Sequence, residues 1–407
     1  MHRNDVPDGT ALTVRTPDLR FGDGVAADLP DVLDELGVER PIVVSDEGID
    51  AAGILDTVVG SLDRDVETRY AATEPSTADF GGLTTDGDGF VAVGGGSCID
   101  TAKLAAALSA HGGSARAYLG VGRVPGPVAP LVAVPTTSGT GSQATQTAVI
   151  SHDGVKRGAS DEYLRPDVAL VDPTLTFSLP RGQTARSGFD AFVHALESLL
   201  ARDYRQVPER PITYQGANPA SRPLSERALS LVHGGLEGVV ENGEDRAARR
   251  AVSLGSHLAG VAFSIAGLGI VHALASTLGG MTDRSHGECL AASIRVGLAY
   301  NRPAREAEYA AVADSLGARN GDDGDDDGDS GSGDHDDPAA GADDLLAECD
   351  RLREAIGLPG SFAAVGCNRS DTDQVVENTL IQERRLATNP RKVSEADLRE
   401  AVLAGFE

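Results

Sequence analysis

Strand-like sequence stops at Pro180, and that one change of pattern constrains the fold more than any other feature of the chain. Before it, short β-branched runs at 41–45, 90–93, 131–134 and 168–171 alternate with helical stretches such as 31–36 and 99–110. Such alternation marks a parallel sheet whose strands are joined by crossover helices. A further run at 147–150 approaches Asp153-Gly154, a pair suited to a hairpin turn, with a short strand expected after it. Beyond Pro180 the pattern is helical to the end. At 407 residues the chain is long enough for two cores. The expectation is an α/β unit over 1–180 and an all-helical unit over 181–407. Two segments read as insertions. Residues 205–216 are polar and proline-rich, as in a surface loop. Residues 321–337 are almost wholly Asp, Gly and Ser; they cannot bury enough apolar surface to offset their ordering entropy, so disorder is expected. Their spacing matches no calcium loop.

The formal net charge is −27, and the only lysines are Lys103, Lys156 and Lys392. A surface of that sign repels nucleic acid and anionic membranes. Because the acidic excess is spread along the chain rather than confined to one tail, it reads as halophilic adaptation. Cys98, Cys289, Cys349 and Cys367 form no Cys-x-x-Cys pair, which suits reduced thiols in a cytoplasm. The first ten residues lack the apolar stretch of a signal peptide. The long apolar run 254–280 carries His257, His272 and several glycines without an aromatic belt or basic flank; it reads as a buried helix that breaks near 267–269.

Two glycine-rich loops suggest a cofactor. Gly94-Gly95-Gly96-Ser97 follows a strand and opens a helix, where free N–H groups can meet a phosphate. Ser97 reads as an N-cap with Asp100 completing a capping box. Alone, this turn is as well explained by tight geometry, since it is not the usual dinucleotide fingerprint. The next strand ends in Pro135-Thr136-Thr137-Ser138-Gly139-Thr140-Gly141-Ser142, a hydroxyl-rich rim. Two such loops after neighbouring strands favour a dinucleotide. Asp46, after the first strand, could accept from both ribose hydroxyls and would repel a 2′-phosphate, which favours NAD(H) over NADP(H).

Asp190 and His194 lie four apart in a helical stretch and so share one face. With His272 and His286 they make one carboxylate and three imidazoles, a set that suits Fe²⁺ or Zn²⁺ without separating them. His111, His152, His233, His257 and His335 read as surface, turn or packing residues.

These pieces together resemble the iron-containing (group III) alcohol dehydrogenase family, in a haloarchaeal-type member. The matching residues are Gly94 to Lys103, Pro135 to Ser142, Pro166 to Pro173, Asp190 with His194, His272-Ala273-Leu274-Ala275, Gly279-Gly280, His286-Gly287 and Asn389-Pro390-Arg391. The resemblance implies the dehydroquinate synthase-like architecture: an NAD(P)-binding α/β domain, an all-α domain and a metal between them. It implies metal ligation by Asp190, His194, His272 and His286. It implies cofactor contacts from Asp46, Gly94, Gly95, Gly96, Ser97, Asp100, Thr136, Thr137, Thr140, Ser142 and Lys156. A small alcohol or carbonyl substrate and a homo-oligomer, dimer or larger, follow from the same likeness. Two departures stand out. Ser276 replaces a histidine that the family commonly places near the nicotinamide, which puts the proton route and the substrate in doubt. Gln143 replaces a common glutamate. A hydroxy-acid or maleylacetate-type reductase, a glycerol-1-phosphate dehydrogenase-like enzyme and a degenerate NAD-binding protein are the alternatives.

Overall fold

The computed structural model describes residues 12–81, 83, 86–153, 155–207, 213–318 and 337–407. The N-terminal ten residues, 208–212 of the first insertion and 321–336 of the second, with His335, lie outside them.

Nine strands are described: β1 (Asp18–Phe21), β2 (Pro41–Ser45), β3 (Glu67–Tyr70), β4 (Gly89–Gly94), β5 (Gly120–Val121), β6 (Leu131–Pro135), β7 (Thr147–His152), β8 (Val155–Ser160) and β9 (Val168–Val171). Six form an all-parallel sheet in the order β1-β9-β6-β4-β2-β3. The other three make a small sheet in which β7 and β8 are an antiparallel hairpin. Alternation along the large-sheet strands builds two cores. Ile42, Val44, Phe90, Ala92, Leu131 and Ala133 face one side, and Val43, Val91, Val93, Val132 and Val134 face the other. Edge strands β1 and β3 gave no apolar run because Asp18, Arg20, Glu67 and Arg69 leave them polar and part exposed.

Short helices α1 (Leu29–Glu35), α2 (Glu47–Ala51) and α3 (Ile54–Val59) serve the first strands, and α4 (Gly96–His111) follows β4. Here the sequence reading needs correction. The N-cap of α4 is Gly95, and Ser97 Oγ donates to Thr73 O at 2.7 Å, so Ser97 and Asp100 form no capping box.

After Pro180 the described residues are helical: α5 (Arg181–Leu200), α6 (Ser221–Glu241), α7 (Arg246–Ala266), α8 (Ile270–Thr282), α9 (His286–Asn301), α10 (Glu306–Leu316), α11 (Pro338–Ala355), α12 (Thr372–Leu380), α13 (Glu383–Leu386) and α14 (Glu395–Ala404). They share one apolar core, to which α5 contributes Phe189, Phe192, Leu196 and Leu199. The expected break at 267–269 is present: α7 and α8 meet at 104°. Among the described residues no single helix is long and apolar enough to cross a membrane; that bent pair passes by length and composition only, and both its helices are largely buried.

Glycines press the loop after β6 onto the helices. A Cβ on Gly139 would lie 2.8 Å from Ser187 O on α5, and one on Gly260 of α7 would lie 2.8 Å from Gly141 O. Gly141 itself sits at φ +63°, with Gly260 Cα 2.6 Å from where its own Cβ would be. Backbone on both sides leaves nothing flexible to yield. Gly260→Ala is therefore expected to destabilise the protein by about 1–3 kcal/mol. Thermal unfolding checks it, and an unchanged melting temperature would contradict so close a contact.

Candidate metal centre and cofactor cleft

Residues four and seven apart stack on one side of a helix. On α5, Asp190, His194 and Glu197 therefore form a single buried stripe. His272 is in the first turn of α8, and His286 opens α9. Gly287 allows the last approach, since a Cβ there would strike Arg186 O at 2.5 Å, one turn before Asp190.

These elements bring Asp190, His272 and His286 into one cluster, with His194 against Asp190 at its side. Asp190 Oδ1 lies 3.3 Å from His194 Nδ1, 3.5 Å from His272 Nε2 and 3.9 Å from His286 Nε2. Ligand atoms of Asp190, His272 and His286 all fall within 4.8 Å of one another. His194 stacks between Phe263 and His272, at centroid distances of 4.2 and 4.4 Å. Three of these atoms, Asp190 Oδ1, His194 Nδ1 and His272 Nε2, are buried without a hydrogen-bond partner among the described residues. Leaving such atoms unpaired costs about 1–3 kcal/mol each, and a cation in their midst removes that cost. The donor set fits a divalent first-row ion.

Protonation favours the same use. Burial, only partly offset by Asp190, pushes His194 down to about 4 and His286 to about 3, so both imidazoles are neutral near pH 7. Burial pushes Asp190 up, but the three histidines outweigh it and hold the carboxyl below its usual range. His272 is the exception. Burial pulls it down, yet its contacts with Asp190 and Glu197 prevail and raise it.

Glu197 was not singled out in the sequence. Its carboxylate accepts from His272 Nδ1 at 2.6 Å, and from Gly269 N at 3.1 Å and Val271 N at 2.8 Å. One group thus satisfies the start of α8, which has no side-chain N-cap, and aims Nε2 of His272 at Asp190. Asn389 takes the intervening Ile270 N at 3.0 Å. The signal was available, because Glu197 sits three residues after His194 on the same face.

The cofactor candidates gather at the carboxyl ends of β2, β4 and β6. Strand order reverses between β2 and β4, the usual place for a ligand in an open parallel sheet. Asp46 caps α2, accepting from Gly48 N and Ile49 N at 2.9 Å, and its second oxygen receives the Cys98 thiol at 3.3 Å. A Cβ on Gly96 would lie 2.8 Å from Thr140, so the two loops touch; Thr137 flanks Gly95 at an ordinary contact distance of 3.5 Å. Thr136 Oγ1 is buried and unpaired among the described residues. Lys156, on β8, pairs with Glu74 at 2.7 Å.

Asp100 and Ser142 are joined to each other inside the protein. Asp100 accepts from Ser142 Oγ at 2.5 Å and Val149 N at 2.8 Å, while fully buried Lys103 donates to Ser142 Oγ, Ser142 O and Thr147 O at 2.7–2.8 Å. Burial pushes Asp100 up and Lys103 down to about 8. This internal network supports the loop from behind. Lys103, at the end of the glycine-turn motif, is its centre. Of the remaining histidines, His111, His152 and His233 bond to Gly126 O, Thr77 and Glu348, and His257 is buried in α7.

A loop-lined cleft at a sheet's switch point, joined to helices that carry a carboxylate–imidazole cluster, is the build of a dinucleotide- and metal-dependent dehydrogenase. The chain belongs to the iron-containing alcohol dehydrogenase family: "Iron-containing alcohol dehydrogenase" matches residues 16–173 and "Fe-containing alcohol dehydrogenase family, C-terminal" matches 184–404. Long-chain-alcohol dehydrogenase 1 of Geobacillus thermodenitrificans is 32% identical over 97% of both chains. NAD-dependent methanol dehydrogenase of Bacillus methanolicus is 30% identical over 94% of this chain and 96% of its own. Among solved structures, 1,3-propanediol oxidoreductase superposes with a TM-score of 0.86 at 27% identity, covering 98% of this chain and all of that one.

Metal binding should depend on Glu197 in two separable ways. Glu197→Gln is expected to weaken metal affinity at alkaline pH by roughly 10–100-fold, because the imidazole loses its orienting partner. Below the raised pKa of His272, affinity should fall as pH falls, since the metal must displace a proton. Removing the Glu197 charge lowers that pKa and moves the edge to more acid pH. Competition titrations with a chelator across pH read both, and an unaltered edge would deny the contact its role.

Proposed function

We propose that this chain is a metal-dependent, NAD(P)-linked oxidoreductase that interconverts an alcohol and an aldehyde or ketone by hydride transfer. The observation that carries the reading is the set of buried, unpartnered lone-pair atoms on Asp190, His194 and His272, placed beyond the two cofactor loops. Asp190, His194, His272 and His286 would hold Fe²⁺ or Zn²⁺, which when bound acts as a Lewis acid toward the substrate oxygen and lowers its pKa.

The chain's own residues do the rest. Glu197 keeps the Nδ1 proton of His272, so the opposite nitrogen presents a lone pair. Neutral His194 and His286 add no charge, leaving Asp190 the one anionic ligand in the set. The Gly94–Ser97 turn and the Thr136–Thr140 loop would receive the pyrophosphate and ribose, with Lys156 toward the nicotinamide ribose. Ser276, four residues beyond His272 on α8, offers a hydroxyl that can pass a proton but cannot hold one near neutral pH. The Asp46 carboxylate beside the glycine turn supports NAD(H) over NADP(H).

Purified protein loaded with Fe²⁺ or Zn²⁺ should oxidise NADH with small carbonyl compounds, more efficiently than NADPH. Chelation should abolish that turnover and His286→Ala should remove both metal and activity. Metal binding with no turnover across a broad carbonyl panel would favour a degenerate NAD-binding protein, and dependence on a substrate phosphate would favour a glycerol-1-phosphate dehydrogenase-like enzyme.

The reading extends to a halophilic, cytoplasmic protein, and the family likeness adds a homo-oligomer. Its supports are the dispersed acidic charge and four buried, unpaired cysteines. Self-repulsion at −27 is relieved as salt screens it. The melting temperature should therefore rise steadily from roughly 0.1 M to roughly 3 M KCl. A flat or falling profile would remove the halophilic component.

A further inference from the structure

One turn beyond His272, Ser276 and Thr277 open into a cavity of about 470 Å³ walled on its other sides by β8 and by α12–α13. Ser276 shares the face of α8 that carries His272. The four candidate ligands do not themselves line the cavity; its wall reaches α8 one turn from His272. Its walls hold Lys156, Arg157, Arg384 and Arg385 against a single carboxylate, Glu383. That balance opposes the whole chain, in which 62 acidic residues outnumber 35 basic ones.

The cations are not equivalent. Lys156 is paired with Glu74 at 2.7 Å, and Arg384 lies over the Tyr214 ring at 5.0 Å. Arg385 differs. Its Nη1 donates to the neutral amide of Gln382 at 2.5 Å, its Nε is buried without a partner, and no carboxylate pairs with it among the described residues. Gln382 is itself fixed to α8, donating to Ala273 O at 2.8 Å and Thr277 Oγ1 at 3.0 Å. The guanidinium is thus held in place on the cavity wall, one turn past His272, with donors to spare. A half-buried cation without a counter-ion is costly, and a planar guanidinium suits a carboxylate or sulfonate held by two hydrogen bonds.

We infer that the substrate is anionic: a carboxylate or sulfonate head group binds Arg385 while the hydroxyl or carbonyl that reacts lies at the metal end of the same cavity. This rests on the oxidoreductase reading above. An uncharged alkyl alcohol would leave Arg385 without a counter-ion. The cofactor's pyrophosphate, the other anion at hand, has its own cradle at the Gly94–Ser97 turn.

The test compares paired substrates on the metal-loaded enzyme with NADH: ω-oxo carboxylates from glyoxylate to 5-oxopentanoate, and sulfoacetaldehyde, each against the uncharged aldehyde of equal length. At the best length, kcat/KM should favour the anion by about 100-fold or more, the effect expected when a buried charge gains its partner. Arg385→Gln should collapse that ratio by a similar factor, chiefly through the KM of the anion, and Arg385→Lys should restore part of it. A preference for uncharged aldehydes at every length, an equal loss on both series, or a loss confined to the KM of NADH would overturn the inference; the last would assign the cations to the cofactor. Calorimetric titration with the unreactive carboxylates acetate to pentanoate separates the two readings. Binding that requires Arg385, without turnover of any carbonyl, would uphold the anion subsite and sink the dehydrogenase. Turnover of plain aldehydes without carboxylate binding would do the reverse.

Discussion

A buried carboxylate beneath the start of one helix holds the candidate metal centre together. Glu197 accepts from Gly269 N and Val271 N, which would otherwise be orphaned at the N-terminus of α8, and from the ring of His272. The helix end favours negative charge there, and the several donors compensate for taking the carboxylate out of water. Since Glu197 stands on the helix that carries Asp190 and His194, one face of α5 both presents candidate ligands and aligns another. Asn389, from the far end of the chain, completes the seat by taking Ile270 N and bonding Asn301. The Asn-Pro-Arg motif near the C-terminus thereby acquires a physical reason: it closes the back of the site.

The cleft depends on the opposite device, the absence of side chains. Gly96 against Thr140, Gly139 against Ser187 and Gly260 against Gly141 are contacts in which a single methyl group would collide. They draw the glycine turn, the hydroxyl-rich loop, α5 and α7 into one close-packed wall. Behind it, Lys103 is spent on backbone carbonyls and hydroxyls, so an apparently chemical residue serves the architecture.

Charge is distributed against the trend of the chain. An acidic surface surrounds a cavity that holds Lys156, one of only three lysines, together with Arg384 and Arg385, while Lys103 lies buried behind the loop. Arg385 is the outlier, since no carboxylate forms an ion pair with it among the described residues.

The order of elements was written in the sequence, because β-branched runs and helical periodicity are local properties. Strand runs at 41–45, 90–93, 131–134 and 168–171, the α7–α8 break and the shared face of Asp190 and His194 were legible for that reason. Edge strands β1 and β3 were not, since half-exposed polar strands carry no apolar signal. Side-chain destinations were not legible either. Ser97 and Asp100 have the spacing of a capping box, yet tertiary neighbours claim both, Thr73 the one and Ser142 with Lys103 the other. Helical spacing paired Asp190 with His194, and the family resemblance joined His272 and His286 to them as candidates. That Glu197 aims His272 and that Arg385 stands uncompensated beside it were decided only by the tertiary structure, because both depend on contacts between residues some 75 to 110 positions apart.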